Sequence, residues 1–174
     1  MKKVSWERRM ERMKEYEKIR LLGSGGMSEV WLVEDKSNGQ TYAMKEAKQH
    51  TTHSTVYRNA LHKEAHILAG IHHPMIPSLI AYEPRTYFIM DLIEGHSLET
   101  HMTNGIPDSI LYGWMKEVIE ILSYLHHHKI FYLDLKPQNL MEDANGKLHL
   151  VDFGTSVYQD GPKVSAITPR LWSA

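Results

Sequence analysis

The strongest constraint in this chain is the eight-residue run Tyr132-Leu133-Asp134-Leu135-Lys136-Pro137-Gln138-Asn139, with Asp152-Phe153-Gly154 beginning thirteen residues after Asn139. Between them, Leu140-Met141-Glu142-Asp143 and Lys147-Leu148-His149-Leu150-Val151 read as two short strands, and Asn145-Gly146 is a tight-turn signal. A hairpin there brings its two ends, Asn139 and Asp152, together. Two oxygen ligands meeting at one place suit a hard cation that is carried in with a phosphate. Asp134 adds a proton acceptor to the same neighbourhood, and Lys136 a positive charge.

A glycine-rich segment gives a second, independent signal. Tyr16 to Leu22 reads as a strand, followed by Gly23-Ser24-Gly25-Gly26-Met27-Ser28 and then by the β-branched and aromatic run Glu29 to Glu34. Glycines alone often mark no more than a turn. A dinucleotide-binding glycine loop opens a helix, whereas a strand follows here. The local order here is strand, glycine loop, strand. After a turn at Asp35 to Gln40, the strand Thr41-Tyr42-Ala43-Met44-Lys45 ends on a lysine. Glu64 is its expected partner, at the edge of a helical stripe of Leu61, Ala65, Leu68 and Ala69. Glu34 and Glu46 are rival carboxylates, but strand alternation turns Glu46 to the face opposite Lys45.

These segments together resemble the eukaryotic-type (Hanks-type) Ser/Thr protein kinases, whose catalytic loop reads H-R-D-x-K-P-x-N and whose metal loop reads D-F-G. The chain matches at Asp134, Lys136, Pro137 and Asn139 and through Asp152-Phe153-Gly154, and departs with Tyr132 for the His and Leu133 for the Arg. Tyr132 is expected to fill the hydrophobic stack behind the metal loop. Leu133 cannot pair with a phosphorylated activation loop, so loop phosphorylation is not expected to be the main on-switch. The wording G-G-M-S-E-V resembles bacterial members, with Ser28 in place of the third family glycine.

The resemblance implies roles. Asp134 orients the substrate hydroxyl and accepts its proton, Lys136 contacts the transferring phosphate, and Asn139 and Asp152 hold Mg2+. Lys45, fixed by Glu64, reaches the α- and β-phosphates of ATP. Leu22, Gly23, Ser24, Gly25, Gly26, Val30, Ala43 and Met141 line the ATP site. Met90-Asp91-Leu92-Ile93-Glu94-Gly95 resembles the hinge, where backbone groups of Asp91 and Ile93 meet adenine and Met90 guards the pocket behind. His73-Pro74 resembles a family H-P pair. Ile167-Thr168-Pro169 resembles a substrate-docking segment, and with Lys136 it favours Ser/Thr substrates. Thr155, Ser156, Ser165 and Thr168 are candidate phosphorylation sites, and the chain ends at Ala174, where the family has A-P-E.

Composition narrows the alternatives. Among 174 residues there is no cysteine, which excludes disulfides and thiolate metal sites, and a net charge of −1 gives no sign of nucleic-acid binding. Apolar runs are too short for a membrane span, and the N-terminus lacks an apolar signal core, so a cytoplasmic protein is expected. The twelve histidines, with His126-His127-His128 and His72-His73 among them, show no zinc-like frame, because adjacent helical residues point apart. Residues 1–17 place Trp6, Met10 and Met13 at helical spacing. Glu7, Glu11, Glu15 and Glu17 offset the basic residues there, so packing on the small lobe is favoured over lipid.

The expected fold is α+β, protein-kinase-like and bilobal. A helical extension over 1–17 leads into a small lobe over 18–94 with a five-stranded antiparallel sheet and the Glu64 helix. A mainly helical, incomplete large lobe follows over 95–174. Without the family's later helices, the undersides of the 109–127 helix and of Leu135 and Leu140 face water, which implies a partner, a further segment or instability. The implied function is ATP-dependent phosphorylation of protein Ser/Thr hydroxyls, with an ATP-binding pseudokinase or regulatory module as the alternative. Lys136-Pro137 and the intact D-F-G argue against a small-molecule kinase of the aminoglycoside type.

Overall fold

Alternating apolar and polar residues broken by Gly, Asn and Asp dominate the first third of the chain, and they form strands. The computed structural model describes residues 16–48, 54–102 and 106–159. Strands β1 (Tyr16–Ser24), β2 (Ser28–Asp35), β3 (Thr41–Ala47), β4 (Leu79–Glu83) and β5 (Tyr87–Met90) make an antiparallel sheet in the order β1-β2-β3-β5-β4. Helix α1 (Ser54–Gly70) connects β3 to β4 and buries Leu61, Glu64, Ala65, Ile67 and Leu68. The expected five-stranded sheet and its helix are therefore present.

Register sorts the side chains of the sheet into two faces. Val30 pairs with Lys45, Leu32 with Ala43, Lys45 with Phe88 and Ala43 with Met90, and cross-strand partners share a face. That inner face meets α1 and the cleft. Trp31, Val33, Met44 and Ile89 occupy the outer face. Tyr16 and Glu17 belong to β1, not to the expected N-terminal helix, because they continue its ladder opposite Asp35 and Glu34. The rest of that extension lies outside the described residues, as do Ser165, Ile167-Thr168-Pro169 and the final residues 170–174.

Beyond the hinge come β6 (Gly95–Ser97), a 3-10 turn at Leu98–His101, and α2 (Asp108–His127). Then follow β7 (Ile130–Phe131), a 3-10 turn at Pro137–Asn139, β8 (Leu140–Asp143), β9 (Leu148–Leu150) and β10 (Val157–Tyr158). β6, β8 and β9 form one small sheet, and β7 pairs with β10. A single apolar core crosses between the lobes, joining Ile67, Leu68 and Phe88 to Leu125, Ile130 and Phe153. Helix α2 buries Trp114, Ile121 and Leu125, while Ile110, Leu111, Tyr112, Met115 and Ile119 stay exposed. Leu135 is also exposed, as expected. Leu140 is not: it pairs with Leu150 in the β8–β9 hairpin and is buried in the core.

Candidate active site

The hairpin sets the geometry. Leu140 faces Leu150, Met141 faces His149 and Glu142 faces Leu148. The loop is three residues, Ala144 to Gly146, rather than a two-residue turn. Gly146 takes the left-handed conformation (φ 78°), and the Asp143 carboxylate accepts the N–H groups of Asn145 and Lys147. At its open end Val151 N–H donates to Asn139 O at 2.9 Å, so the residues flanking the hairpin are side by side.

Lys45 is the centre of the charge arrangement. Its Nζ lies 2.8 Å from Glu64 Oε1 and 2.8 Å from Asp152 Oδ1, and its side chain and that of Glu64 are almost wholly buried. Strand alternation turns Glu46 to the other face, where it pairs with Lys18. Glu64 Oε1 also accepts the Phe153 N–H at 3.0 Å, which ties α1 to the metal loop. Burial works against the Lys45 charge, but Glu64 and Asp152 outweigh it and hold its pKa above the ordinary value. Burial raises the Glu64 pKa, and Lys45 offsets this only in part. Burial also acts to raise Asp152, but Lys45 and the Gly154 N–H more than reverse it, so Asp152 stays below the usual carboxylate value.

Asp152 has a left-handed backbone, φ 64°. A non-glycine residue there is strained, and such strain persists where the surroundings over-determine it. Here the surroundings are specific. Phe153 is buried edge-on against Tyr132, ring centres 5.3 Å apart, and the Tyr132 hydroxyl donates to Val151 O at 2.7 Å. Burial pushes the Tyr132 pKa well above its ordinary value, so the phenol stays a neutral donor. Tyr132 thus stacks behind the metal loop as the sequence suggested.

Asp134 is presented by the loop before β8. Lys136 Nζ donates to Asp134 Oδ2 at 2.6 Å, and Asn139 Nδ2 donates to Asp134 O at 2.9 Å and to Oδ2 at 3.1 Å. Asn139 is buried, its amide nitrogen donates to Asp134, and its amide oxygen is an acceptor. With Asp152 this is an all-oxygen donor set, which fits a magnesium ion. Leu133, beside them, is exposed.

One cavity of about 790 Å³ lies between the lobes. It is lined by Leu22, Gly23, Val30, Ala43, Lys45, Met90, Asp91, Ile93, Met141, Asn139 and Asp152. Gly25 and Gly26 line a smaller cavity of about 100 Å³ with Lys45, Glu64 and Asp152, and the glycine loop is closed by Gly25 N–H to Ser28 O at 2.9 Å. Ser24 lines neither, because β1 turns its exposed side chain outward. Asp134 and Lys136 lie outside both cavities.

Leu92, Glu94 and Gly95 of the expected hinge line the larger cavity too, and Arg20, Leu32, Thr41, Pro77, Gln138 and Val151, which also line it, were missed. Leu32 and Thr41 could have been found by extending the alternation from Val30 and Ala43. Ser156 is fully buried in the segment after Gly154, so it is corrected as a phosphorylation site, while Thr155 beside it is exposed.

A small lobe with a five-stranded sheet, a lysine–glutamate pair and an Asp-Phe-Gly turn above an aspartate loop define a protein kinase domain. The comparisons agree: the protein kinase domain family matches residues 16–171, and the chain belongs to that family. It is 32% identical over 149 residues to the cAMP-dependent protein kinase catalytic subunit of Dictyostelium discoideum, covering 83% of this chain and 23% of that protein. It is 30% identical over 149 residues to CBL-interacting serine/threonine-protein kinase 19 of Arabidopsis thaliana, covering 83% and 31%. A bacterial relative, serine/threonine-protein kinase PknD of Chlamydia trachomatis, is 29% identical over 163 residues, covering 84% and 18%. The chain spans less than a third of the length of these three relatives.

Proposed function

We propose that this site transfers the γ-phosphate of ATP to a Ser or Thr hydroxyl of a protein. The observation that carries the reading is Lys45 held between Glu64 and Asp152 at 2.8 Å to each, at the wall of a cavity large enough for a nucleotide. Adenine fits against Leu22, Val30, Ala43 and Met141, and the hinge supplies the Asp91 carbonyl and the Ile93 N–H. The Asp91 N–H is already committed to Ser78 O at 3.1 Å. Lys45 meets the α- and β-phosphate oxygens. Asn139 and Asp152 are the residues that hold magnesium, which when bound neutralises charge on the phosphates.

Asp134, fixed by Lys136 and Asn139, accepts the proton of the incoming hydroxyl, and Lys136 turns its ammonium toward the moving phosphoryl group. Most of the barrier is lowered by positioning and charge placement, since the protein does little covalent work. The relatives named as serine/threonine kinases support the choice of hydroxyl. We place the lobe boundary at Glu94–Gly95 and the protein in the cytoplasm, where ATP is plentiful.

Two measurements test the reading. Mg-ATP binding is followed by calorimetry, and radiolabel transfer to casein is compared between the parent and Asp134→Asn. Binding is expected in both, with transfer lowered about 10²–10⁴-fold in the variant, the usual contribution of a positioned base. Binding with no transfer in the parent assigns the chain instead to a nucleotide-binding module. No binding in either overturns the proposal.

A further inference from the structure

Unlike the adjacent histidines elsewhere in the chain, His62 and His66 are four residues apart on α1 and lie one above the other on the same side of it. Their rings meet edge to face, with centres 4.4 Å apart. Tyr82 of β4 closes the group. Its ring stacks on His62 with centres 5.6 Å apart and meets His66 edge-on at 6.1 Å. The Tyr82 hydroxyl is hydrogen-bonded to His62 Nδ1, so Nε2 is the nitrogen left to His62 for a ligand. Tyr82 is buried in the core, which fixes that support, while His66 is exposed.

We propose that His62 and His66 form a two-imidazole site for a divalent transition metal of the Zn2+ or Cu2+ class, with Tyr82 supporting His62 from behind and water completing the coordination. The separation fits. With a metal–nitrogen bond of about 2.1 Å, two imidazoles side by side on one ion have ring centres about 4–5 Å apart. The support fits as well. A ligating imidazole commonly donates its other ring N–H to an oxygen, which fixes the ring and strengthens it as a ligand. The Tyr82 hydroxyl stands at that position. Burial, with the charges of His66 and Arg85, lowers the His62 pKa and keeps the ring in the neutral form that binds metal. Imidazole suits Zn2+ and Cu2+, whereas Mg2+ takes oxygen, so this pair and the Asn139–Asp152 pair select different ions. Glu64 lies between the two histidines in sequence, on the buried side of α1, where it holds Lys45 and the Phe153 N–H. An ion joining His62 to His66 staples this turn of α1, and Tyr82 ties the turn to β4. The bound ion therefore steadies the helix that positions Glu64.

The absence of cysteine leaves no thiolate to compete for the ion. Zn2+ and Cu2+ are each titrated calorimetrically into the full chain, into His66→Gln, and into a triple variant with His126, His127 and His128 replaced by Gln. His66 is exposed, so its replacement leaves the fold intact. Losing a supporting partner costs a metal site about tenfold or more in affinity, and loss of a ligand in His66→Gln is expected to cost at least that. Such weakening in His66→Gln, with the parent's affinity kept in the triple variant, supports the proposal. No binding in the parent overturns it, as does equal affinity in the parent and His66→Gln. Loss of the ion in the triple variant alone also overturns it, since the adjacent histidines would then be the ligands. By amide exchange, either ion is expected to slow α1 several-fold in the parent and not in His66→Gln. Exchange in α1 that ignores the ion counts against the staple. Neither readout depends on phosphate transfer.

Discussion

Lys45 is the cation bonded to both Glu64 and Asp152, so its removal is expected to reveal what each carboxylate costs. In Lys45→Met, Glu64 is left buried without its cation, and breaking such a pair costs about 3–5 kcal/mol. The low end is expected, because Asp152 is half exposed and rehydrates. The pH dependence has a definite sign. Burial already raises the Glu64 pKa, and without Lys45 it rises further. A carboxyl group with a raised folded pKa contributes stability at low pH that is lost as pH climbs through that value. Urea unfolding should therefore show a larger deficit for the variant at pH 8 than at pH 5. Leu133 leads to a different expectation. It is exposed beside Asp134 and has no charge to offer a phosphate. Combined replacement of Thr155, Ser165 and Thr168 by Ala should leave radiolabel transfer within a few-fold of the parent. Collapse of activity would refute it. At this scale the meeting of Lys45 with Glu64 and Asp152, and of Asp134 with Asn139, was legible because charged and amide side chains must find polar partners. Ser24 and Ser156 were misread because whether a small hydroxyl faces a cavity, solvent or the core depends on packing, and no local pattern encodes that.

Among the elements, the β8–β9 hairpin was readable because its alternation and its glycine act over a few residues. Its loop length was not, since Asn-Gly signals a turn without fixing how many residues precede it. The burial of Leu140 was likewise hidden, because it depends on the register with Leu150. β6 was missed as a strand. It exists because Gly95 approaches β8 so closely that an added Cβ would lie 2.0 Å from Glu142 O. Gly95→Ala must push β6 away from β8, and overpacking of this kind costs about 1–3 kcal/mol. A lowered thermal midpoint with weaker nucleotide binding is expected by scanning calorimetry and titration. An unchanged midpoint would mean that the hinge strand yields freely.

Viewed as a whole, the molecule has an open apolar side. Leu111, Met115 and Ile119 recur at helical spacing on α2 and are exposed together with Ile110 and Tyr112. Exposed apolar residues at this spacing are what an association surface would offer. If the protein self-associates through them, Met115→Lys with Ile119→Glu is expected to lower the association constant in sedimentation equilibrium, with stability changed by no more than about 0.5 kcal/mol, as for other exposed positions. An unaltered association constant would remove α2 from the interface. The sequence anticipated this face, because the stripe is written in the helical period. The two lobes meet at a spine and a clasp. The chain crossing at Glu94–Gly95 is the spine, and the bonds from Lys45 to Asp152 and from the Phe153 N–H to Glu64 are the clasp. A cleft joined in this way would open like a book, pivoting where the backbone crosses and parting first where side chains hold. Its breathing is then expected to follow the clasp, so the one buried carboxylate that both holds Lys45 and accepts the Phe153 N–H, Glu64, is the latch of the covers.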